Sequence, residues 1–402
     1  MAREPKVDRR RLLQGGAVGA AGAVGGWFAR DLTDSSGSTA ADARRTEPFH
    51  GRHQAGIATG SQALTSVLGL DLRADAGAPA LARLLRLLSD DAARLTAARP
   101  ALADVAPELA VTPSRLTVTL GLGPRVFTEV LRTSPRGAVT PLRSFRTDAL
   151  DARWGQTDLL VQVSGDDPVA LSHARTVLLR DARAFTATRW VQDGFHSARG
   201  SQPEGSTGRN LMGQVDGTVN PVPGTADFDE LVWIDGAAGE PLAGGSQLVV
   251  RRIAMDLDGW EKVDRAGREL TIGRRLDNGA PLSGRRERDD PDFEAVDRLG
   301  LPVIDAASHL RRARSEDRSQ RILRKAYNYD GVEGGKAAAG LLFCSFQADI
   351  ERQFVPLQQR IADSDRLNRW VSTIGSAVYT VPPGCSAGGF VGDRLLAAAG
   401  VR

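Results

Sequence analysis

Cysteine is nearly absent from this chain: its 402 residues include two, Cys344 and Cys385. Two thiols exclude a disulfide framework and a cysteine-rich metal site, and a pair of buried thiols is expected. No apolar run is long enough to cross a bilayer; the stretch from Gly15 to Gly26 is short and rich in glycine. No basic block is interleaved with aromatic residues, and the net charge is only +3, so no nucleic-acid partner is expected. Histidine is scarce too, with five: His50, His53, His173, His196 and His309, of which only the last lies in the second half. What remains is ordinary globular material, 41% hydrophobic and 25% charged, long enough for two domains with cores.

The first segment reads as an address. Asp8-Arg9-Arg10-Arg11-Leu12-Leu13-Gln14 stands before the Gly15–Gly26 run, and Ala41-Asp42-Ala43 supplies a small-x-small cleavage site. Paired arginines, a weakly apolar stretch and that site resemble a twin-arginine export signal. Residues 1–43 are therefore expected to engage the twin-arginine export machinery and to be excluded from the fold. The expected destination is secreted or periplasmic, or the cell envelope. No cysteine follows the run, so no stable membrane anchor is expected.

The mature chain alternates strand and helix signals. Residues 54–58, 64–70, 115–123, 158–164 and 186–191 read as strands. Leucines 81, 84, 85, 87, 88 and 95 form a helical stripe over 78–98, and Asp167-Pro168 opens a second helix through about Ala182. Strands over 247–253 and 340–347, a helix start at Gly259-Trp260 and a helix over 349–362 repeat the pattern. The fold class expected is α+β, two ferredoxin-like halves of antiparallel sheet with helices, over residues 44–200 and 201–402. Residues 194–210 read as a connection and 273–302 as a long irregular excursion.

Chemistry concentrates in the second half. Asp216 lies in Gly213-Gln214-Val215-Asp216-Gly217-Thr218-Val219-Asn220-Pro221, with a glycine directly after the acid and a turn at Asn220-Pro221. A carboxylate on such a loop suits proton handling. His309 follows Asp305-Ala306-Ala307-Ser308, and Arg324 closes Arg321-Ile322-Leu323. One imidazole with no second histidine or thiol near in sequence excludes zinc. No serine or cysteine on a glycine elbow stands beside them, which excludes a nucleophile triad. One histidine on the metal, with acid and arginine acting on the other face, suits haem iron.

These residues resemble the dye-decolorizing (DyP-type) haem peroxidases. That family carries Gly-x-x-Asp-Gly followed by Thr-x-Asn-Pro, which Gly213–Pro221 matches. Its proximal histidine lies in His-(Ile/Leu)-Arg, as His309-Leu310-Arg311 does, and its distal arginine closes an Arg-Ile-Leu-Arg run, as Arg321–Arg324 does. Residues 48–57 resemble the family's opening segment and 352–358 its last long helix, so the likeness runs from about residue 46 to 395. Many members follow the histidine with Asn-Pro-Arg; here Arg314-Ser315-Glu316 stands instead.

The resemblance implies haem b (iron protoporphyrin IX) in the second half, hydrogen peroxide as oxidant and a dye, phenolic or similar small molecule as reductant. His309 would be the axial ligand. Asp216 and Arg324 would drive heterolysis of the O–O bond to a ferryl species, with Arg324 keeping Asp216 ionised. Gly217, Thr218, Val219, Leu341 and Phe343 are expected in the haem pocket, with Arg274, Arg311 and Arg314 as contacts for the propionates. Asp305 is near in sequence to support His309, while the resemblance implies an acid from further along the chain. Trp233, Trp260, Trp370, Tyr327, Tyr329 and Tyr379 are relay candidates, for which core packing is the plainer expectation. His50 and His53 are read as packing or surface residues, His173 and His196 as solvated. The alternative is an exported haem- or iron-handling protein of the deferrochelatase kind. Self-association into a homo-oligomer is left open.

Overall fold

Two short-period apolar patterns build two matching sheets. The computed structural model describes residues 44–203, 206–237 and 239–401; the export segment read at 1–43 lies outside them. The first sheet consists of β1 (Leu64–Leu72), β2 (Thr117–Leu122), β3 (Leu159–Gly165) and β4 (Thr186–Phe195), all antiparallel in the order β2-β3-β1-β4. Helix α1 (Ala78–Thr96) connects β1 to β2, and α2 (Pro168–Ala182) connects β3 to β4. Asp167 caps α2 by accepting from the Ala170 N–H at 2.8 Å, and Pro168 opens its first turn.

The second half repeats this plan. Strands β5 (Ser246–Met255), β7 (Tyr327–Glu333), β8 (Lys336–Gln347) and β9 (Val371–Val381) lie in the order β7-β8-β5-β9. A two-residue strand, β6 (Leu323–Arg324), is added on β8. The shorter helices of this half are α3 (Ala226–Val232), α4 (Leu257–Glu261), α5 (Arg265–Ile272) and α6 (His309–Ala313), followed by α7 (Phe354–Ser364) before β9 and α8 (Asp393–Ala398). Both halves therefore have the ferredoxin-like strand order.

One pairing at each edge closes the two sheets into a ring: Leu122 with Thr380 joins β2 to β9, and Phe195 with Asn328 joins β4 to β7. Side chains alternate across each strand accordingly. Val67, Leu160, Trp190, Leu248, Val250, Phe346 and Tyr379 pack in one cluster drawn from both sheets. Their neighbours Leu68, Leu159 and Val161 face α1 and α2, while Val249 and Val378 face α7. Gly69 is required for this packing, because a Cβ there would come within 2.3 Å of the Trp190 ring.

Three expectations need correction. Residues 54–58 form a turn, not a strand. The Gln54 side chain takes the place of a ladder there: it accepts from Leu120 N–H at 2.8 Å and donates to the carbonyls of Leu120 and Pro382 at 3.0 and 2.9 Å. Helix α7 begins at Phe354 rather than at 349: residues 350–353 form a turn, and Val355 N–H reaches back five residues to Ile350 O at 2.9 Å, outside the regular helical ladder. His173 is not solvated: it is buried on α2 with its Nε2 2.8 Å from Asp104 Oδ2. Both cysteines are free and buried, as expected.

Asp91 of α1 and Asp181 of α2 are buried against each other where these helices pack. Burial, then the hydrogen bond and charge of Asp181, push the Asp91 carboxyl up to about 7. The folded chain thus holds a proton that the unfolded chain releases near 3.8. Its contribution to stability is complete below that value and is lost as pH rises through about 7. Asp91→Asn, which mimics the protonated form, should gain stability relative to the parent at pH 8 but not at pH 4. Equal differences in denaturation midpoint at the two pH values would refute this.

Candidate functional site

A tight hairpin delivers Asp216. Its N–H donates to Gly208 O at 2.9 Å, Asn210 N–H to Gln214 O at 3.0 Å, and Gly213 turns the corner at φ 82°. Arg209 fastens this hairpin to the excursion by donating to the carbonyls of Leu276 and Asp277, each at 2.6 Å. Gly217, at φ 113°, reverses the chain directly after the acid, a conformation that a side chain resists.

Arg324 comes from the other end of the half. It sits on β6, opposite Ser345 of β8, and its Nη2 meets Asp216 Oδ1 in a direct ion pair. The two side chains are 26% and 15% exposed, so each charge has lost much of its water and depends on the other. Burial pulls the guanidinium down to about 10, which leaves it charged at neutral pH. The Phe343 ring lies 5.9 Å from its Cζ. Lys325, the next residue, is buried and donates through Nζ to the carbonyls of Gly56 and Thr59 at 2.6 and 2.7 Å.

His309 is the first residue of α6, and its Nδ1 lies 2.5 Å from Asp365 Oδ2. Asp365 follows α7 and is itself fixed, because its Oδ1 accepts from Leu367 N–H at 2.8 Å. Two more ties join the same segments: Arg366 N–H to Ala307 O at 2.8 Å, and Arg366 Nη2 to Asp305 Oδ2 at 2.7 Å. Burial lowers the proton affinity of His309, but the charge and hydrogen bond of Asp365 outweigh it, and the net shift is upward. Among the described residues nothing hydrogen-bonds Nε2. Asp365, rather than Asp305, is thus the acid on this imidazole. Asp305, near in sequence, is spent on Arg366 and on Ala307 N–H at 2.7 Å, and the acid comes from further along the chain, as the resemblance implied.

Both pairs line one cavity of about 560 Å³. Gly217, Thr218, Val219, Arg274, Arg314, Leu341 and Phe343 line it with them. Val219 is 63% exposed and Thr218 Oγ1 is buried without a partner. Arg274 is buried and donates to the carbonyls of Gly279 and Glu287, at 2.7 and 2.8 Å, and Arg314 binds Asp290 at 2.9 Å. Arg311 stands apart from the expectation: it is no part of the cavity wall and donates to Phe293 O at 2.9 Å, with its Cζ over the Phe293 ring. It directly follows Leu310, which does line the cavity, and that one-residue step along the helix turns it outward.

A second basin, of about 930 Å³, reaches Asp216 and Arg324 from elsewhere. His309 and Asp365 do not line it, so the acid–guanidinium pair belongs to the partition between the two spaces and the imidazole to the inner one. His196 lies in this basin and is half-buried rather than freely solvated. Its ring rests 4.5 Å from that of Tyr327, and burial, then Lys325, bring its pKa down to about 4. Of the relay candidates, Trp260 and Trp370 contact each other edge to face at 5.1 Å, and Tyr327, Tyr329 and Tyr379 are buried.

The comparisons with known proteins agree with one another. Models described as "Dyp-type peroxidase, N-terminal" and "Dyp-type peroxidase, C-terminal" match residues 54–196 and 207–386. A dye-decolorizing peroxidase of Thermobifida fusca (strain YX) is 38% identical over 359 residues, 85% of this chain and 83% of that protein. A deferrochelatase of Escherichia coli O6:K15:H31 (strain 536 / UPEC) is 33% identical over 413 residues, 97% of each chain. The crystal structure of a DyP-type peroxidase from Cellulomonas bogoriensis superposes with a TM-score of 0.84 at 45% identity, over 88% of this chain and 99% of that one. By sequence and by architecture, this chain belongs to the DyP-type peroxidases.

Proposed function

We propose that this peroxidase holds haem in the 560 Å³ cavity with His309 as axial ligand, and that Asp216 and Arg324 carry the proton and charge of peroxide cleavage. The observation that carries the reading is the partition. The Asp216–Arg324 pair lies in the stretch of cavity wall that the second basin also reaches, whereas the other acid–guanidinium pair of the wall, Arg314 with Asp290, does not. Peroxide can therefore arrive at it when the cavity itself is filled.

Haem suits the residues present. The cavity lies within the range of cofactor sites. Its wall exposes Val219 and includes Leu341 and Phe343, apolar surface that a planar macrocycle would cover. The imidazole has one nitrogen committed to a buried carboxylate and the other without a protein partner, the arrangement of a metal-ligating histidine. Arg274 and Arg314 would serve the propionates; Arg311, turned away, would not. When bound, haem supplies the iron that peroxide oxidises and that electrons from the donor later restore.

The protein's part is proton and charge transfer. The Asp216 carboxylate takes a proton from one peroxide oxygen and returns it to the other, so that the second leaves as water. Arg324 neutralises the negative charge that grows on the leaving oxygen, from a position already fixed before reaction. Asp365 orients the His309 ring and strengthens its donor nitrogen. Dyes, phenolics and similar molecules are the donors proposed.

A second reading, an iron- or haem-handling role, is favoured by the deferrochelatase relative that matches nearly end to end. A carrier has no use for the Asp216–Arg324 pair, which is why the peroxidase reading stands first. Dye oxidation by peroxide, compared with iron released from supplied haem, separates the two. We further infer export by the twin-arginine route, on the Arg9-Arg10 pair and the run that follows.

Asp216→Ala and Arg324→Leu should each slow the reaction with peroxide by on the order of 10²- to 10³-fold in stopped-flow mixing. Parental rates in both would reject the assignment. His309→Ala should abolish the parental Soret band. Asp365→Asn should keep the band but lose about 10- to 100-fold in activity or haem affinity. A fully active Asp365→Asn enzyme would show that the carboxylate does not tune the ligand. Replacing Arg9 and Arg10 with lysine should retain the protein in the cytoplasm, as fractionation would show.

A further inference from the structure

We propose that Asn220 is a positioning residue: its carboxamide sets Arg324 against Asp216, acting on the backbone rather than on peroxide. This rests on the acid–base assignment given to that pair.

Strand β6 is two residues long and has a strand neighbour on one side only, where Leu323 and Arg324 pair with Phe346 and Ser345 of β8. A strand so short, held along one edge, has little to fix its tilt. On the other side of Arg324 stands Asn220 in place of a strand. The Arg324 N–H donates to Asn220 Oδ1 at 3.0 Å, and Asn220 Nδ2 donates to Arg324 O at 2.7 Å. A carboxamide has the donor and acceptor of a peptide group, so one side chain completes both hydrogen bonds of one residue.

The same turn carries the acid. Asn220 N–H donates to Gly217 O at 3.1 Å, closing a turn that begins directly after Asp216. Asp216 and the clamp on Arg324 are therefore set from one rigid loop, although Asn220 and Arg324 are 104 residues apart in sequence. The next residue, Lys325, is held to β8 by its N–H, which donates to Cys344 O at 2.8 Å, and its Nζ is anchored on the carbonyls of Gly56 and Thr59, so the backbone on either side of the Arg324 carbonyl is pinned. Asn220 lines both spaces, yet both ends of its carboxamide are committed to the backbone. An amide neither takes up nor releases a proton near neutral pH, so its work here is to hold the Arg324 backbone, which makes it a positioning residue.

Asn220→Leu has a similar shape and makes neither bond. In the haem-loaded enzyme it is expected to lower the rate with peroxide, per haem, by about 10- to 100-fold, since misplacement of about 1 Å costs on that order. The pH profile of that step should also move to higher pH, because a displaced Arg324 no longer favours the ionised acid. A purely structural role would lower the thermal midpoint or haem content and leave both per-haem readouts at parental values; that result overturns the proposal. If Asn220→Leu fails to take up haem, Asn220→Ser, which retains at most one of the bonds, is measured in its place. It is expected between parent and Arg324→Leu, and a parental rate and profile would again overturn the proposal. Asp216→Ala and Arg324→Leu run in parallel keep the two levels apart. If these are slow and the Asn220 variants are not, only the positioning role falls. If all react at the parental rate, the acid–base assignment itself is at fault.

Discussion

A guanidinium taken out of water needs partners for its charge and its N–H groups, and Arg324 meets one carboxylate. Much of the second half can be understood as the arrangement that keeps this pair together. Asp216 rides on a hairpin stitched to the excursion by Arg209, and Arg324 rides on a strand too short to hold itself. Neither element would keep its place alone. The Asn220 carboxamide and the Lys325 ammonium supply the missing edges, and the latter ties the second half to the turn at Gly56 and Thr59 in the first.

The ring of strands explains why the halves cooperate. A lone four-stranded sheet would expose one apolar face. Here the inner faces of both sheets share a cluster that contains Val67 and Leu160 from one half and Leu248 and Tyr379 from the other. At each seam one residue pair joins the facing edge strands. The cavity lies outside this shared core, on the side of the second sheet where Leu341 and Phe343 of β8 face it, and the excursion over 273–308 brings in His309. The irregular stretch thus carries the imidazole to the cavity, while regular strands carry its other wall.

How much of this could be read from the chain depends on the range of the interaction. Strands β1, β2, β3, β5 and β8 follow from alternation or apolar runs, and α1 and α2 from leucine spacing and the Asp167-Pro168 start. Asp216, His309 and Arg324 could be singled out because their neighbours are distinctive: a glycine after the acid, and arginine runs beside the other two. Asp365 carried no such mark. Its sequence context is that of an acid capping a short turn, which it also is, and its second oxygen reaches His309 only because α7 ends beside α6. His173 and His196 look like surface residues, and packing against Asp104 and Tyr327 decides otherwise.

The sequence by itself determined the duplicated α+β plan, the freedom of both thiols from a framework and the three side chains of the site, because local patterning governs all of these. The tertiary structure decided which acid holds the imidazole, that Arg311 turns to Phe293, and that Asn220 is a clamp more than a turn. These are contacts between segments up to 104 residues apart. Hydrogen bonds and ion pairs act over a few ångströms, and only the folded backbone says which distant groups come within that reach.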